Sequence, residues 1–283
     1  MISKEKLREL VELSYRVRKH VLESTSLAGS GHPGGSLSCV DILVTLYFHV
    51  MRHDPKNPNW PDRDRLVLSK GHAVPALYGV LAEAGYFPVE ELKSLRKFGS
   101  RLQGHPVRGT VPGVENSAGS LGNGLAMANG MALAAKLDGR PYRVYVLLGD
   151  GECQEGLVWE AAMFSSHYKV DNLTAFVDRN GLQIDGPTEK VMSLEPLAAK
   201  WRAFGWEVIE IDGHDFPSII EACERAKRTK GRPTVVICHL IKGRGIHFME
   251  WVAGYHGKTL PPSDLPKALA ELEEWRRREM AEL

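Results

Sequence analysis

The 283-residue chain carries 36 basic and 35 acidic residues, a formal net charge of +1, so no bulk charge draws it to nucleic acid or to an anionic membrane. Its length suits one large α/β core or two modest domains. The charged amino terminus, MISKEKLRELVELS, lacks the apolar stretch of a secretory signal, and no apolar run approaches a membrane span. Four scattered cysteines (Cys39, Cys153, Cys223, Cys238) without a C-x-x-C pair suit a reducing cytoplasm, where they serve as buried small residues.

In chain order, Ser3 is placed to cap a first helix with Leu7, Leu10, Val11, Val17 and Val21 on one face, ending near Ala28-Gly29. A glycine-rich loop, Gly31 to Ser36, follows. It holds His32 between glycine and proline, a placement that packing alone does not explain. An apolar helix is predicted over 40–50, an irregular surface excursion over 55–64, and a short strand over 65–69. Lys70-Gly71-His72-Ala73 stands at that strand's end, before a helix running through Leu81. Pro88 is placed to open the next helix at its first position. A long loop, Gly99 to Ser120, carries Gly104-His105-Pro106, and loops of that length inside compact domains are usually functional or disordered. Gly119-x-x-Gly122-x-Gly124 leads into a small-residue helix, Leu125 to Leu137. This spacing is a weak phosphate-loop signal and not a dinucleotide fingerprint, because no apolar strand runs into it.

The centre of the chain is 142–186. Tyr142 to Leu148 is a nearly unbroken apolar run, the pattern of a strand buried on both faces of a parallel sheet, and it stops at Gly149-Asp150-Gly151. A helix with Leu157, Ala161, Phe164 and Tyr168 on one face is predicted next, then a strand, Leu173 to Val177, ending at Asp178-Arg179-Asn180-Gly181. The unit is β-α-β with a right-handed crossover, so Asp150 and Asn180 fall at the carboxyl ends of neighbouring parallel strands, where open α/β sheets bind ligands. One carboxylate, one amide oxygen and a turn carbonyl suit magnesium, which completes its octahedron with water and phosphate. Each residue alone reads as a helix-capping aspartate or a turn asparagine; the pair at two matching strand ends reads as a site. Cys153, in the same loop without a positioned base, reads as structural.

Beyond it, a helix is predicted over 194–204 and an alternating strand over 206–211. Asp215 or Ser218 is placed to cap a helix over 219–227, and a buried strand follows over 233–240. His214 is Gly-flanked but lies in an ordinary strand-to-helix turn. A last amphipathic helix spans Leu265 to about Met280. With no repeat, low-complexity stretch or linker, one domain over 1–283 is the simplest organisation: an α/β fold with a mostly parallel central sheet and helices on both faces. Four histidines in Gly-containing loops, His32, His72, His105 and His256, lack zinc-ligand spacing and suit proton transfer near neutral pH.

GDG with an asparagine about thirty residues on resembles the thiamine-diphosphate motif, and GDGECQEG resembles its transketolase form. Ser30-Gly-His32-Pro-Gly, Ser69-Lys-Gly-His72-Ala, Gly104-His105-Pro and His256-Gly resemble four further transketolase segments in the same order, so the resemblance covers essentially the whole chain. It implies a diphosphate-binding domain holding thiamine diphosphate through Mg2+, with Ca2+ or Mn2+ as substitutes. Asp150, Asn180 and the Leu182 carbonyl would take the metal. His72, Gly119, Ser120, Leu121, Gly151, Glu155, Asn180 and His256 would contact the cofactor. His32 and His256 would handle the donor sugar's oxygens, and His72 and His105 would lie against cofactor and substrate carbonyl. Val107 and Asn123 depart from the family's usual glutamate and glutamine, which bears on acceptor preference.

The implied activity is transfer of a two-carbon ketol unit from a ketose phosphate to an aldose phosphate, in the pentose phosphate pathway. The glutamate-bearing pyrimidine-binding domain of the family has no counterpart here. The expectation is therefore the N-terminal subunit of a split transketolase, silent alone. It would pair with itself and with a C-terminal subunit to make a two-plus-two heterotetramer. The alternatives are a subunit of another thiamine-diphosphate enzyme (a deoxyxylulose-phosphate synthase or a 2-oxoacid dehydrogenase) and a non-catalytic diphosphate–magnesium binder, with a Rossmann dehydrogenase least favoured. SGHPGGSLS and the Gly104-His105-Pro loop favour transketolase, and four intact loop histidines exceed what binding alone requires.

Overall fold

The computed structural model describes residues 2–283. Its strands are β1 (Arg65–Leu68), β2 (Val144–Gly149), β3 (Leu173–Arg179), β4 (Leu182–Gln183), β5 (Gly186–Pro187), β6 (Glu207–Asp212) and β7 (Thr234–His239). The helices are α1 (Lys4–Ala28), α2 (Pro33–Ser38), α3 (Val40–Thr45), α4 (Val74–Glu83), α5 (Asn123–Leu137), α6 (Gly156–His167), α7 (Thr188–Val191), α8 (Leu197–Ala203), α9 (Phe216–Arg228) and α10 (Leu265–Ala281). Five strands form one sheet in the order β1-β2-β3-β7-β6, every pairing parallel, while β4 and β5 make a small antiparallel hairpin.

Strand periodicity divides the core in two, because successive side chains point to opposite faces. Tyr145, Leu147, Phe176 and Val236 pack with α1, α3, α4, α9 and α10 on one face. Val144, Val146, Leu148, Ala175 and Val235 pack with α5, α6 and α8 on the other. Progress along the sheet reverses after edge strand β6, and the carboxyl ends of β2, β3 and β7 open side by side, the usual ligand position in such sheets. No helix among the described residues is long and apolar enough to cross a membrane.

Local signals place most elements well. Ser3 caps α1 by accepting the Lys6 N–H at 3.1 Å, and Gly29 ends it in the left-handed region at φ 60°. Asp215, not Ser218, caps α9. Three expectations change. The predicted loop from Gly31 to Ser36 is already helical from Pro33, because proline suits a first helical position and the following small residues let α2 pack at full burial. Pro88 precedes a short 3-10 segment, Val89–Ser94, instead of opening an α-helix. The inward face of α6 is Val158, Ala161, Ala162 and Ser165; Leu157 and Phe164 are only half-buried and Tyr168 is exposed. Small residues win that face because α5 lies against it, where the Asn129 side chain bonds both the Ala161 carbonyl and the Ser165 hydroxyl.

Candidate active site

β2 and β3 run in register, with Gly149 opposite Asp178, so their two following turns meet. Asp150 is buried there. Its carboxylate accepts the Gly151 N–H at 2.8 Å and the Gly181 N–H at 2.6 Å, and stands 3.2 Å from the Arg179 guanidinium. Burial first, then the neighbouring Asp178 carboxylate, push the Asp150 pKa up. An upward push on a buried carboxylate marks a place where a cation would be welcome. The Asn180 amide is oriented by Asp178: its Nδ2 donates to Asp178 at 2.9 Å, which fixes Oδ1 as the face toward the Leu182 turn.

The cleft that Asp150 and Asn180 share also holds Lys70, His72, Leu121, Gly151, Glu155, Leu182, Lys242 and His256, and encloses about 260 Å³. Larger concavities exist, but none contains this set of residues. Asp150, Asn180 and the Leu182 backbone supply oxygens of three kinds suited to a hard cation. Among the described residues no group of three His, Cys, Asp or Glu is placed to hold a metal ion. Lys242 and Lys70, the latter paired with Asp178, also line the cleft.

Lys70 does not stand out in the sequence, yet it ties the site together. Its ammonium pairs with Asp178 and donates to the Gly35 carbonyl at 2.8 Å. Burial pulls its pKa down, but Asp178 outweighs that and raises it. Asp178 in turn accepts from Ser38 at 2.5 Å, so α2, β1 and β3 meet on one carboxylate. Sequence reasoning also misses Glu152. It is buried, bonds Ser69, and accepts the N–H groups of Gly122 and Gly149 at 2.8 and 2.9 Å, locking the 119–124 turn onto the GDG loop. Glu155, the predicted contact, lies exposed at the cleft edge. A carboxylate beside the aspartate of a glycine loop is the one signal that could have found Glu152.

The four predicted histidines converge. Ring centroids of His32 lie 5.4 Å from His72, 5.9 Å from His105 and 5.7 Å from His256, and His72 lies 4.8 Å from His256. Glycines permit this: a Cβ on Gly35 would stand 3.3 Å from His72 Nε2, and one on Gly34 would strike the Tyr255 carbonyl at 2.8 Å. Burial is the first cause in every case of a lowered pKa, to about 4 for His32, to about 3 for His256, well down for His72, and downward for His105. All four are therefore neutral at pH 7 and able both to donate and to accept. His32 Nδ1 is buried and has no partner, an orphaned group of the kind a ligand satisfies. Gly119 and Ser120 are exposed on the rim beside His105, and Leu121 lines the cleft.

His214 is elsewhere, as expected of a structural histidine. Its Nδ1 meets Asp41 at 2.8 Å and its Nε2 accepts the Ile241 N–H at 2.9 Å, within a buried cluster with Arg18.

The model of the family described as "Transketolase, thiamine diphosphate binding domain" matches residues 12–274. A 6-deoxy-6-sulfo-D-fructose transketolase subunit of Clostridium sp. (strain MSTE9) is 49% identical over 258 residues, covering 91% of this chain and 94% of that one. An apulose-4-phosphate transketolase subunit of Phocaeicola vulgatus is 45% identical over 267 residues, covering 94% and 95%. Among solved structures, the transketolase of Leishmania mexicana superposes with a TM-score of 0.87 at 30% identity, over 96% of this chain and 44% of that one.

Proposed function

This chain belongs to the transketolase family as a thiamine-diphosphate-binding N-terminal part, homologous over nearly their whole length to subunits of two-part enzymes, and from that premise we propose what its site does. It supplies the metal-and-diphosphate half of an enzyme that moves a two-carbon ketol unit between sugar phosphates, and its partner is a C-terminal subunit with a pyrimidine-binding domain. The observation that carries this reading is a buried, under-compensated Asp150 beside Asn180 in one cleft with His72 and His256, whose rings adjoin that of His32 and, through it, His105.

In this reading Asp150, Asn180 Oδ1 and the Leu182 carbonyl hold Mg2+, and Lys242 offsets the diphosphate's charge. Gly119, Ser120, Leu121, Gly151 and Glu155 line the cofactor's approach, with His72 and His256. When bound, thiamine diphosphate supplies the nucleophilic carbon and the electron sink for cleaving a bond beside a ketose carbonyl. His32 and His256 hold and pass protons at the donor's hydroxyl oxygens, and His72 and His105 orient its carbonyl. The domain is taken as one unit over 1–283, cytoplasmic, paired with itself through the outward faces of α5 and α6, where Met127, Leu137 and Met163 are exposed, in a two-plus-two heterotetramer. Thermal unfolding tests the cofactor assignment. Mg2+ and thiamine diphosphate together should raise Tm, and neither NAD nor either component alone should match them; a rise with NAD, or none with the pair, refutes it.

A further inference from the structure

Lys242 is buried to 1% exposure on the segment after β7, and no carboxylate among the described residues pairs with it. Its Nζ lies 3.3 Å from Nδ1 of His256. Both residues are held. The Lys242 carbonyl accepts the Trp251 N–H at 3.0 Å, and the next residue, Gly243, donates to the Gly34 carbonyl at 3.1 Å. A Cβ on Gly34 would fall 3.2 Å from Lys242 Cγ as well as onto the Tyr255 carbonyl, so α2, the lysine stem and the residue before His256 are packed into one another.

An ammonium has three donors and no acceptor, so the ring nitrogen that faces it must present a lone pair. The proton of a neutral His256 is then left to Nε2. We propose that Lys242 is a positioning residue that holds His256 in its Nε2–H tautomer, so that His256 meets an oxygen in the cleft as a hydrogen-bond donor. Supporting this, burial brings the Lys242 pKa down only to about 8, which leaves it mostly charged at pH 7, and burial together with Lys242 keeps His256 neutral. A donor at this point polarises a sugar carbonyl or gives up a proton, whereas an Nδ1–H tautomer would offer the cleft a base. This functional sense rests on the sugar-transfer reading of the site; the tautomer itself does not.

The test is long-range 1H–15N correlation of the histidine-labelled chain at pH 7, with His256 assigned by its loss in His256→Gln. The expected spectrum shows a protonated, pyrrole-type Nε2 and an unprotonated, pyridine-type Nδ1. Lys242→Met should lose that selectivity and shift the His256 titration to higher pH, and Lys242→Arg, which keeps a donor, should restore both. An Nδ1–H tautomer in the wild-type chain overturns the proposal. So does an unchanged tautomer in a folded Lys242→Met chain. Should Lys242→Met fail to fold, the wild-type and Lys242→Arg spectra decide. A correct tautomer without any response to Mg2+ and thiamine diphosphate would remove the sugar-transfer reading and keep this one; the reverse would remove this one alone.

Discussion

Two buried polar clusters flank the segment after β7, built from the same residue types and left in opposite states. In one, Arg18 grips Asp41 with two bonds of 2.8 and 2.6 Å, His214 bonds the same carboxylate, and the Trp275 ring lies 4.5 Å from the guanidinium. Burial alone would raise the Asp41 pKa, but Arg18 and His214 more than reverse it and hold the carboxylate well below its usual range. In the other, Asp150 leans on two backbone amides and one arginine already shared with Glu189 and Glu195, and its pKa is pushed up. In the first cluster the carboxylate's charge is fully compensated, even though Arg18 Nε and Trp275 Nε1 have no partner, and the cluster ties α1, α3 and the 241 segment together. The second still needs a positive charge. The same chemistry that stabilises a fold when complete marks a binding site when it is left short of a partner.

The largest effect should come from breaking the compensated cluster. Arg18→Met removes the two guanidinium bonds to buried Asp41 and leaves it only the His214 ring, so the chain should lose about 3–5 kcal/mol of stability, read as a fall in the urea midpoint. Asp150→Ala should behave in the opposite way. Stability without cofactor should hold steady, while affinity for Mg2+ with thiamine diphosphate drops by roughly a hundredfold or more, on the order of 3 kcal/mol, in calorimetry of the assembled enzyme. Equal stability losses in the two variants would erase the distinction.

The histidines sharpen it further. His256→Ala should cut turnover of the assembled enzyme by roughly a hundredfold, as expected for a general acid–base group, with far less change in cofactor affinity. Lost cofactor binding with normal turnover at saturation would reassign it. The smallest effect concerns pH. Asp41 has a depressed pKa in the fold, so its contribution is present above the ordinary carboxylate value and is lost as pH falls from there through the folded value. Asp41→Asn should flatten the acid limb of the stability curve below about pH 4, and an unchanged limb would place the acid sensitivity elsewhere.

Much of this is legible in the residues. The run Tyr142 to Leu148, the GDG stop and Asn180 define the central β-α-β unit, because apolar strands and glycine turns are local signals. The four histidines are legible because each sits in a Gly-containing loop within a segment that resembles the family, a match that Gly-flanked His214 lacks. Lys70 and Lys242 are not, since a lone lysine in a loop ordinarily reads as solvated, and only the fold shows Asp178 and His256 waiting for them. The inward face of α6 is misread for a related reason. Leu157 and Phe164 look like core, but close approach of α5 selects small residues, and helix-to-helix distance is a tertiary quantity. Glu152 and Glu155 are both acidic and adjacent to the same loop; only the amides of Gly122 and Gly149 tell them apart.

As half of a transketolase site, the Asp150 cluster would be completed by a cation, a diphosphate cofactor and a second subunit. Ketol transfer between sugar phosphates, assayed with Mg2+ and thiamine diphosphate for this chain alone, its C-terminal partner alone and the two mixed, tests it most directly. Transfer is expected only in the mixture, abolished by chelating the metal and by Asp150→Ala. Robust transfer by the purified chain on its own, or transfer in the mixture that persists with Asp150→Ala, would contradict it.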